Sequence, residues 1–347
     1  MSEERVIEIK ALSSEENINS REKSIYDLLE EDIMRSDIED SEKTKKLSRL
    51  LKIRGEKVNI MLTGATGSGK SSTINALFHM EVAKVGVGVD PETSCIDKYE
   101  LDNLIIWDTP GLGDGVENDK KITRDIIKKL NEMDENCNPL IDMVVVILDA
   151  SSKDLGTSYD LINKVLVPCL GEEAAQERIL IALNQSDIAM KGTHWDAALN
   201  EPDEILKEFL KKKADSVQKR IKEGTGLDIR PICYCAGYKE DGEQRKPYNL
   251  TKLLYYIIKA IPREKRLALV DHINDDKDNW LHDDKESEYC DEIESGLGDT
   301  VWDCISDGVD TGCAIGAAVM GIPGEIVGGM VGGAVGAIKG IFSSIFG

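Results

Sequence analysis

Residues 58–71 read VNIMLTGATGSGKS, and this stretch decides the fold. Its first half is a short apolar run, and from Gly64 to Ser71 it fits the pattern G-x-x-x-x-G-K-[ST]. Residues 70–78 then have a composition typical of a helix. A strand, a glycine-rich turn and a helix in this order form the context that a phosphate-binding loop, or P-loop, requires. The stretch therefore predicts a site for a nucleotide.

The residue types in this loop suit a triphosphate. Glycines let successive backbone N–H groups turn inward around phosphate oxygens, and the N-terminus of the following helix adds partial positive charge. Lys70 is expected to reach the β- and γ-phosphates, and the Ser71 hydroxyl is a hard oxygen ligand for Mg²⁺. The predicted binding residues are Gly64, Thr66, Gly67, Ser68, Gly69, Lys70, Ser71 and Ser72. Packing of the helix explains Ser72 equally well.

The pattern on both sides of the loop predicts alternating strands and helices. Residues 1–56 are polar, with leucines and isoleucines at helical spacing, which indicates one or two amphipathic helices. Apolar runs typical of strands follow at residues 95–101, 103–107, 142–148, 179–183 and 229–235. Helix-like segments separate most of them, so we predict an α/β fold, a three-layer sandwich of helices around a mostly parallel sheet.

The motif after the strand at residues 103–107 predicts a switch. Asp108-Thr-Pro-Gly111 places a carboxylate at the end of that strand, where it can hold Mg²⁺ through water. The Gly111 N–H can then meet the γ-phosphate. Loss of that phosphate would release the loop, which is how nucleotide switches operate.

The motif after the strand at residues 179–183 predicts which base is bound. Asn184-Gln-Ser-Asp187 offers a carboxylate, Asp187, that can accept both N1–H and N2–H₂ of guanine, a donor pair that adenine lacks. Asn184 is expected to tie this loop to the P-loop and to contact N7. At the end of the last strand, the Ala236 N–H can meet guanine O6. The predicted base-site residues are Asn184, Gln185, Asp187, Cys235 and Ala236. GTP and GDP are thus the expected ligands, and an ATP-specific enzyme is the least favoured alternative.

Five motifs occur in the order of the five signature motifs of translation-factor-related GTPases: GATGSGKSS, PETS, DTPG, NQSD and CAG. Over residues 57–262 the chain resembles the septin and Era-like members of that group. The NQSD wording is similar to that of prophage-associated bacterial Era-like GTPases. The resemblance implies a P-loop NTPase fold and a switch threonine for Mg²⁺ and the γ-phosphate, which Thr93 matches. It implies catalytic roles for Lys70, Thr93 and Gly111, and Mg²⁺ ligation by Ser71, Thr93 and Asp108.

Three positions depart from that family pattern. Gln185 replaces the usual lysine of the base motif, so affinity is expected to fall while Asp187 keeps the guanine preference. Cys235 stands where serine is common, a modest change because the backbone reads the base there. Leu112 follows Gly111, where Ras-type enzymes carry a glutamine that orients the attacking water. The resemblance therefore implies a slow, hydrophobic-substituted GTPase that takes the missing group from another loop, a partner or a second protomer.

Composition limits the partners and the compartment. The formal net charge of −22 argues against nucleic acid, whose phosphates need basic surfaces. The 8 cysteines are scattered without a CxxC pair, which is typical of reduced thiols in a cytosolic protein. The charged start, MSEERVIEIK, does not resemble a signal peptide. We expect a cytoplasmic protein, with peripheral or conditional membrane contact left open by its C-terminal segment.

Glycines in one four-residue register, broken only by Met320, mark this C-terminal segment. They are Gly312, Gly316, Gly324, Gly328, Gly332, Gly336 and Gly340. On a helix they form a flat strip that lets another helix approach closely, often in lipid. Residues 324–346 amount to about 23, close to the ~20 needed for a span, but include Glu325 and Lys339. A span, an interfacial helix, and packing within the chain or between protomers all remain open.

Composition also divides the chain into four segments. They are an N-terminal helical extension at 1–56, a GTPase domain at 57–262, an acidic helical segment or linker at 263–310 and a glycine-zipper hydrophobic tail at 311–347. The function that these segments predict is a slow, Mg²⁺-dependent GTPase whose nucleotide state controls assembly, as a homodimer or oligomer, or membrane contact through the tail. The alternatives are a nucleotide-sensing interaction module with negligible hydrolysis and a membrane-perturbing effector regulated by its GTPase domain.

Overall fold

The computed structural model describes residues 5–7, 23–78, 95–113, 115–240, 243–305, 342, 345 and 346. Its strands are β1 (Arg5–Ile7), β2 (Val58–Gly64), β3 (Asp97–Leu101), β4 (Leu104–Asp108), β5 (Met143–Asp149), β6 (Ile179–Asn184), β7 (Trp195–Asp196), β8 (Glu201–Pro202), β9 (Ile232–Cys233), β10 (Tyr238–Glu240) and β11 (Glu243–Arg245). Its helices are α1 (Ile25–Arg35), α2 (Asp40–Arg54), α3 (Lys70–Leu77), α4 (Val116–Leu130), α5 (Gly156–Leu161), α6 (Val167–Leu170), α7 (Glu172–Arg178), α8 (Glu204–Thr225), α9 (Leu250–Ala260), α10 (Leu267–Val270) and α11 (Tyr289–Ile305). One π-helical turn joins α5 to α6, at Ile162–Leu166.

Within the described residues, the main sheet has seven strands in the order β1-β3-β4-β2-β5-β6-β9. Strand β3 runs antiparallel to β4, and the pairs from β4 through β2, β5 and β6 to β9 are parallel. Every residue of the central strand β2 is buried, as expected for a strand covered on both faces. The predicted α/β fold with a mostly parallel sheet, that of a P-loop GTPase domain, is confirmed.

Helices cover both faces of this sheet because successive β2 side chains point to opposite sides. Ile60 and Leu62 belong to one buried cluster, here called the α9-side core, together with residues of α1, α2, α3, α9, α10 and α11. Met61 belongs to the other, the α4-side core, together with residues of α4, α5, α7 and α8. The sheet thus forms the middle of three layers, and the loops at the carboxyl ends of its strands meet along one edge.

The last strand of the sheet is shorter than its sequence predicts. The apolar run covers residues 229–235, but only Ile232–Cys233 pairs with β6. Pro231 precedes this pair and has no N–H to donate to the ladder, so regular pairing starts after it. At the opposite edge, β1 pairs in parallel with β3, and no pattern in the sequence predicted this strand.

Residues beyond Pro262 pack into the α9-side core. Leu267, Trp280 and Leu297 are all buried there. At least one acidic side chain of this segment is paired within the fold. Asp284 accepts hydrogen bonds from Lys252 and from Asn249 Nδ2. The division of the chain at Pro262 remains a proposal from the sequence.

The glycine register of the tail, Gly312 to Gly340, lies outside the described residues. Phe342, Ile345 and Phe346 are described, and we call them the C-terminal anchor. They join the α9-side core, with Phe342 and Ile345 buried. Within the described part of the chain, no helix is both long enough and apolar enough to cross a membrane.

Candidate nucleotide-binding site

The P-loop connects β2 to α3 and depends on glycine at a specific position. Gly69 has φ +89°, a backbone conformation that favours glycine. A Cβ at this position would lie 2.2 Å from Asn184 Nδ2, so the loop and the base motif could not approach each other as they do. Any side chain at position 69 would therefore both strain the loop and separate the two halves of the site.

Lys70 places its positive charge within the loop. Its Nζ lies 3.1 Å from the carbonyl oxygen of Ala65 and 3.4 Å from that of Gly64, and the side chain is buried. Charge-assisted hydrogen bonds are the strong ones in proteins, and phosphate oxygens are better partners for an ammonium than carbonyls are. The position suits the predicted role of Lys70 in holding phosphates.

Two of the predicted Mg²⁺ ligands are adjacent, although 37 positions separate them in the chain. Ser71 Oγ donates to Asp108 Oδ2 over 3.1 Å. Asp108 is buried, and within the described ranges its Oδ1 has no hydrogen-bond partner. A hydroxyl oxygen beside a carboxylate that has one unpaired oxygen is a set of hard donors that fits Mg²⁺. Thr93, the third predicted ligand, lies outside the described residues.

Burial raises the pKa of the Asp108 carboxyl to about 6, with the charge of Lys70 and the hydrogen bond from Ser71 opposing the rise. A raised pKa means that the carboxylate is ionised above about pH 6 and increasingly protonated below it. Since Mg²⁺ requires the ionised form, Mg²⁺-dependent nucleotide affinity is expected to fall about fourfold from pH 7.5 to 5.5. Fluorescence titration with a labelled GDP, with and without Mg²⁺, measures this.

Two controls separate the titration of Asp108 from that of the nucleotide. The Mg²⁺-free titration reports the pH dependence of the phosphates and the rest of the site. In Asp108→Asn, the extra pH dependence seen with Mg²⁺ should disappear. A wild-type protein whose Mg²⁺-dependent affinity stays constant over this range would contradict the prediction.

The loop after β4 lies directly on the P-loop. Leu112 N donates to Gly64 O over 3.2 Å, and Thr66 N donates to Leu112 O over 3.0 Å. A Cβ on Gly111 would lie 2.3 Å from Thr66 Oγ1, so only glycine permits this approach. The backbone of the predicted switch is thereby held beside the phosphate-binding backbone.

The Leu112 side chain is buried in the α4-side core, with 4% of the residue surface exposed. Leu112→Gln would bury an amide there, so we expect a loss of about 1–3 kcal/mol in the free energy of unfolding, without faster GTP hydrolysis. Urea denaturation measures the loss, and Leu51→Gln, at an exposed leucine, is the matched control. Wild-type stability combined with accelerated phosphate release would disprove this interpretation.

The base motif is attached to both neighbouring loops. Asn184 Nδ2 donates to Ser68 O over 3.0 Å, and Gln185 Nε2 donates to Gly67 O over 2.8 Å. Asn184 Oδ1 accepts the Ala236 N–H over 3.0 Å. The amide that the sequence assigns to guanine O6 therefore has a protein partner in this structure, and that assignment remains a prediction.

Asp187 is buried at the end of this motif, and both of its carboxylate oxygens have partners. The Cys235 thiol lies 3.1 Å from Oδ1, and Arg245 Nη1 lies 3.2 Å from Oδ2. Burial, followed by the charge of Asp187, raises the pKa of Cys235 well above its ordinary value, so the thiol keeps the proton that it donates. The sequence analysis missed Arg245, which follows the CAG motif without a recognisable signal of its own.

Residues 59–185 match the family described as 50S ribosome-binding GTPase. A search of curated proteins finds no match to the chain.

Solved structures with a similar fold share few residues with this chain. Toc33 from Arabidopsis thaliana is 18% identical, with 70% of this chain and 98% of that one covered at a TM-score of 0.41. Era from Aquifex aeolicus, bound to GDP and AlF4-, is 15% identical, with 60% and 57% covered at 0.39. LeoA, a bacterial dynamin GTPase from ETEC, is 17% identical, with 81% and 46% covered at 0.37.

Proposed function

We propose that this protein, which has a P-loop GTPase domain and whose residues 59–185 match a GTPase family, is a slow, Mg²⁺-dependent GTPase. We further propose that its nucleotide state controls self-assembly or membrane contact through residues 311–347, in the cytoplasm. The observation that carries the first part is the hydrogen bond from Asn184 to the Ser68 carbonyl, which holds the guanine-reading motif against the phosphate-binding loop.

Each part of the nucleotide has a residue suited to it. Lys70 would hold the β- and γ-phosphates, the Gly111 N–H would meet the γ-phosphate, and Asp187 would accept the donors of guanine. Ser71 and Asp108 would hold Mg²⁺, with Thr93 as the third ligand. When bound, Mg²⁺ neutralises charge on the triphosphate. Loss of the γ-phosphate would then release the segment that begins at Gly111.

Slow hydrolysis follows from the position of Leu112. Its side chain is buried in the α4-side core and carries no group that could orient water. A water-orienting group must therefore come from another loop, a partner or a second copy of the chain. If a second copy of the chain supplies this group, the rate of GTP turnover depends on assembly.

Phosphate release from GTP at increasing protein concentration tests this proposal. Turnover per molecule should rise with concentration if a second copy completes the site, and Lys70→Ala should abolish it at every concentration. Turnover that stays at the level of Lys70→Ala at all concentrations would instead favour an interaction module that senses nucleotide without hydrolysing it.

The C-terminal anchor supports control of the tail by the GTPase domain. The Phe346 ring lies 5.1 Å from the Trp280 ring, measured between centroids, and Trp280 Nε1 donates to Asn274 O over 2.8 Å. Asn274 N in turn donates to Leu77 O over 2.9 Å, at the end of the P-loop helix α3. The end of the tail thus rests on a segment that is hydrogen-bonded to the nucleotide-binding element.

Freeing the C-terminal anchor should expose the tail. We expect the double variant Phe342→Ala, Phe346→Ala to pellet with anionic vesicles several-fold more than the wild type, because the anchor no longer holds the tail on the α9-side core. The variant is less apolar than the wild type, so greater hydrophobicity cannot explain an increase. Co-sedimentation with GDP and with a non-hydrolysable GTP analogue measures the effect.

Two controls accompany this experiment. Leu281→Ala changes an exposed side chain next to Trp280 and should behave as the wild type does. Deleting residues 311–347, which include both substituted positions, should lower pelleting to the level of the wild type or below. Membrane contact through this tail would be ruled out if the wild type, the double variant and the deletion variant all showed the same low pelleting in both nucleotide states.

A further inference from the structure

A hairpin outside the recognised motifs is rooted at the base site. Strands β10 and β11 pair antiparallel, with Tyr238 opposite Arg245. Just outside the hairpin, Cys235 and Tyr248 exchange two backbone hydrogen bonds of 2.9 Å each. The hairpin therefore begins and ends at the loop that carries Cys235 and Ala236.

Gly237 brings the two ends of this hairpin into close contact. Its φ is +68°, and a Cβ there would lie 2.4 Å from the backbone oxygen of Arg245. The backbone of Arg245 therefore lies directly against the base loop, at a distance that no side chain at position 237 would allow. This contact decides where the guanidinium can reach.

The guanidinium of Arg245 reaches the guanine-reading carboxylate. Its Nη1 lies 3.2 Å from Asp187 Oδ2, and 6% of the Asp187 side chain is exposed against 48% of that of Arg245. A buried carboxylate is costly unless it is paired and hydrogen-bonded, and Asp187 has Arg245 on one oxygen and the Cys235 thiol on the other. With one donor on each oxygen, the two partners restrict rotation of the carboxylate.

We propose that Arg245 is a positioning residue for guanine recognition, which orients the Asp187 carboxylate so that both oxygens face the N1–H and N2–H₂ donors. The inference rests on the proposed role of Asp187. Each carboxylate oxygen can accept two hydrogen bonds. On each oxygen, one of these can come from Arg245 or Cys235 and the other from the base. Without the guanidinium the carboxylate can rotate. Rotation weakens binding more for a base that donates two hydrogen bonds to the carboxylate than for a base that donates one.

Nucleotides with different donor sets test this proposal. GDP offers N1–H and N2–H₂, IDP offers N1–H alone, and ADP offers neither. For Arg245→Gln we expect GDP affinity to fall about tenfold and IDP affinity about threefold, with ADP unchanged, so that the GDP-to-IDP preference narrows about threefold. Arg245→Lys should recover part of the preference. Equilibrium titrations in Mg²⁺ on the full chain provide these values.

Lys246→Gln is the matched control, because it removes the same charge from the next residue, which pairs with Asp278 over 3.0 Å and not with Asp187. Any of three results for Arg245→Gln would overturn the proposal. The variant could bind all three nucleotides as Lys246→Gln does, it could bind GDP more tightly than the wild type, or its affinities for GDP, IDP and ADP could fall equally. A wild-type protein that binds ADP as well as GDP would instead refute guanine reading by Asp187, which is a separate failure.

Discussion

Lys70→Ala is expected to lower the affinity for GTP by at least about 100-fold, the largest effect of any single substitution in this chain. The ammonium is buried within the P-loop, between the carbonyl oxygens of Ala65 and Gly64. Each charge-assisted hydrogen bond to a phosphate contributes about 1.5–3 kcal/mol, so losing two removes at least about 3 kcal/mol. Isothermal titration calorimetry with GTP and Mg²⁺ measures the loss.

The same substitution should leave the folded protein intact. Removing the buried ammonium loses its contacts with the Ala65 and Gly64 carbonyls and its attraction to Asp108, but it also removes the cost of burying that charge. We expect these opposing effects to leave the nucleotide-free protein folded. A ligand that binds only the folded state stabilises it by RT ln(1 + [L]/Kd). At the same GTP concentration, the melting temperature of the variant should therefore rise much less than that of the wild type.

Lys57→Ala is the control for Lys70→Ala. This lysine is half exposed and pairs with Glu100 over 2.9 Å, away from the loop. The Lys57→Ala variant should bind GTP as the wild type does. Retention of wild-type GTP affinity by Lys70→Ala would remove the basis for placing the phosphates in this loop.

Asp187→Asn should have the second-largest effect, because it reverses the polarity of the base contact. The amide can no longer accept both N1–H and N2–H₂, and its NH₂ group faces the guanine donors. Two lost hydrogen bonds at about 1–2 kcal/mol each predict a fall in GTP affinity of about 100-fold. Xanthine carries an oxygen in place of the N2 amino group, so the affinity for XTP should rise. Displacement of a labelled nucleotide from the site by GTP and by XTP measures how far the preference shifts from GTP to XTP.

Two comparisons make this experiment decisive. Asp160→Asn alters an exposed aspartate that pairs with Lys164 and should leave both affinities unchanged. The affinity of Asp187→Asn for XTP shows that the site is still folded, since a collapsed pocket would bind neither nucleotide. Equal losses for GTP and XTP would therefore contradict the assignment of Asp187 to the base.

The sequence predicted most of the architecture because the signals were local. The apolar run before Gly64 and the alternation of strands and helices predicted the mostly parallel sheet, and the order of the motifs predicted which strand ends carry the site. The prediction was less accurate at the sheet edges. Strand β9 is short because Pro231 cannot donate to the ladder, and β1 was missed because three residues carry no periodic signal.

The site could be predicted from the sequence only in part. Ser71 and Asp108 belong to recognisable motifs, and the structure brings them together as hydrogen-bonded neighbours. Leu112 also belongs to a motif, but its burial in the α4-side core does not follow from its position there. Thr93 lies outside the described residues, so its role remains a prediction.

The sequence by itself determined the phosphate-binding loop, the switch motif and the base motif, because each depends on glycines, carboxylates and spacings within a few consecutive residues. Only the tertiary structure decided what surrounds them: Arg245 beside Asp187, 58 positions away, and the C-terminal anchor beside Trp280. Such contacts depend on how the sheet and its loops bring distant segments together. Ion pairs and aromatic contacts act over a few ångströms in space and leave no regular spacing along the chain.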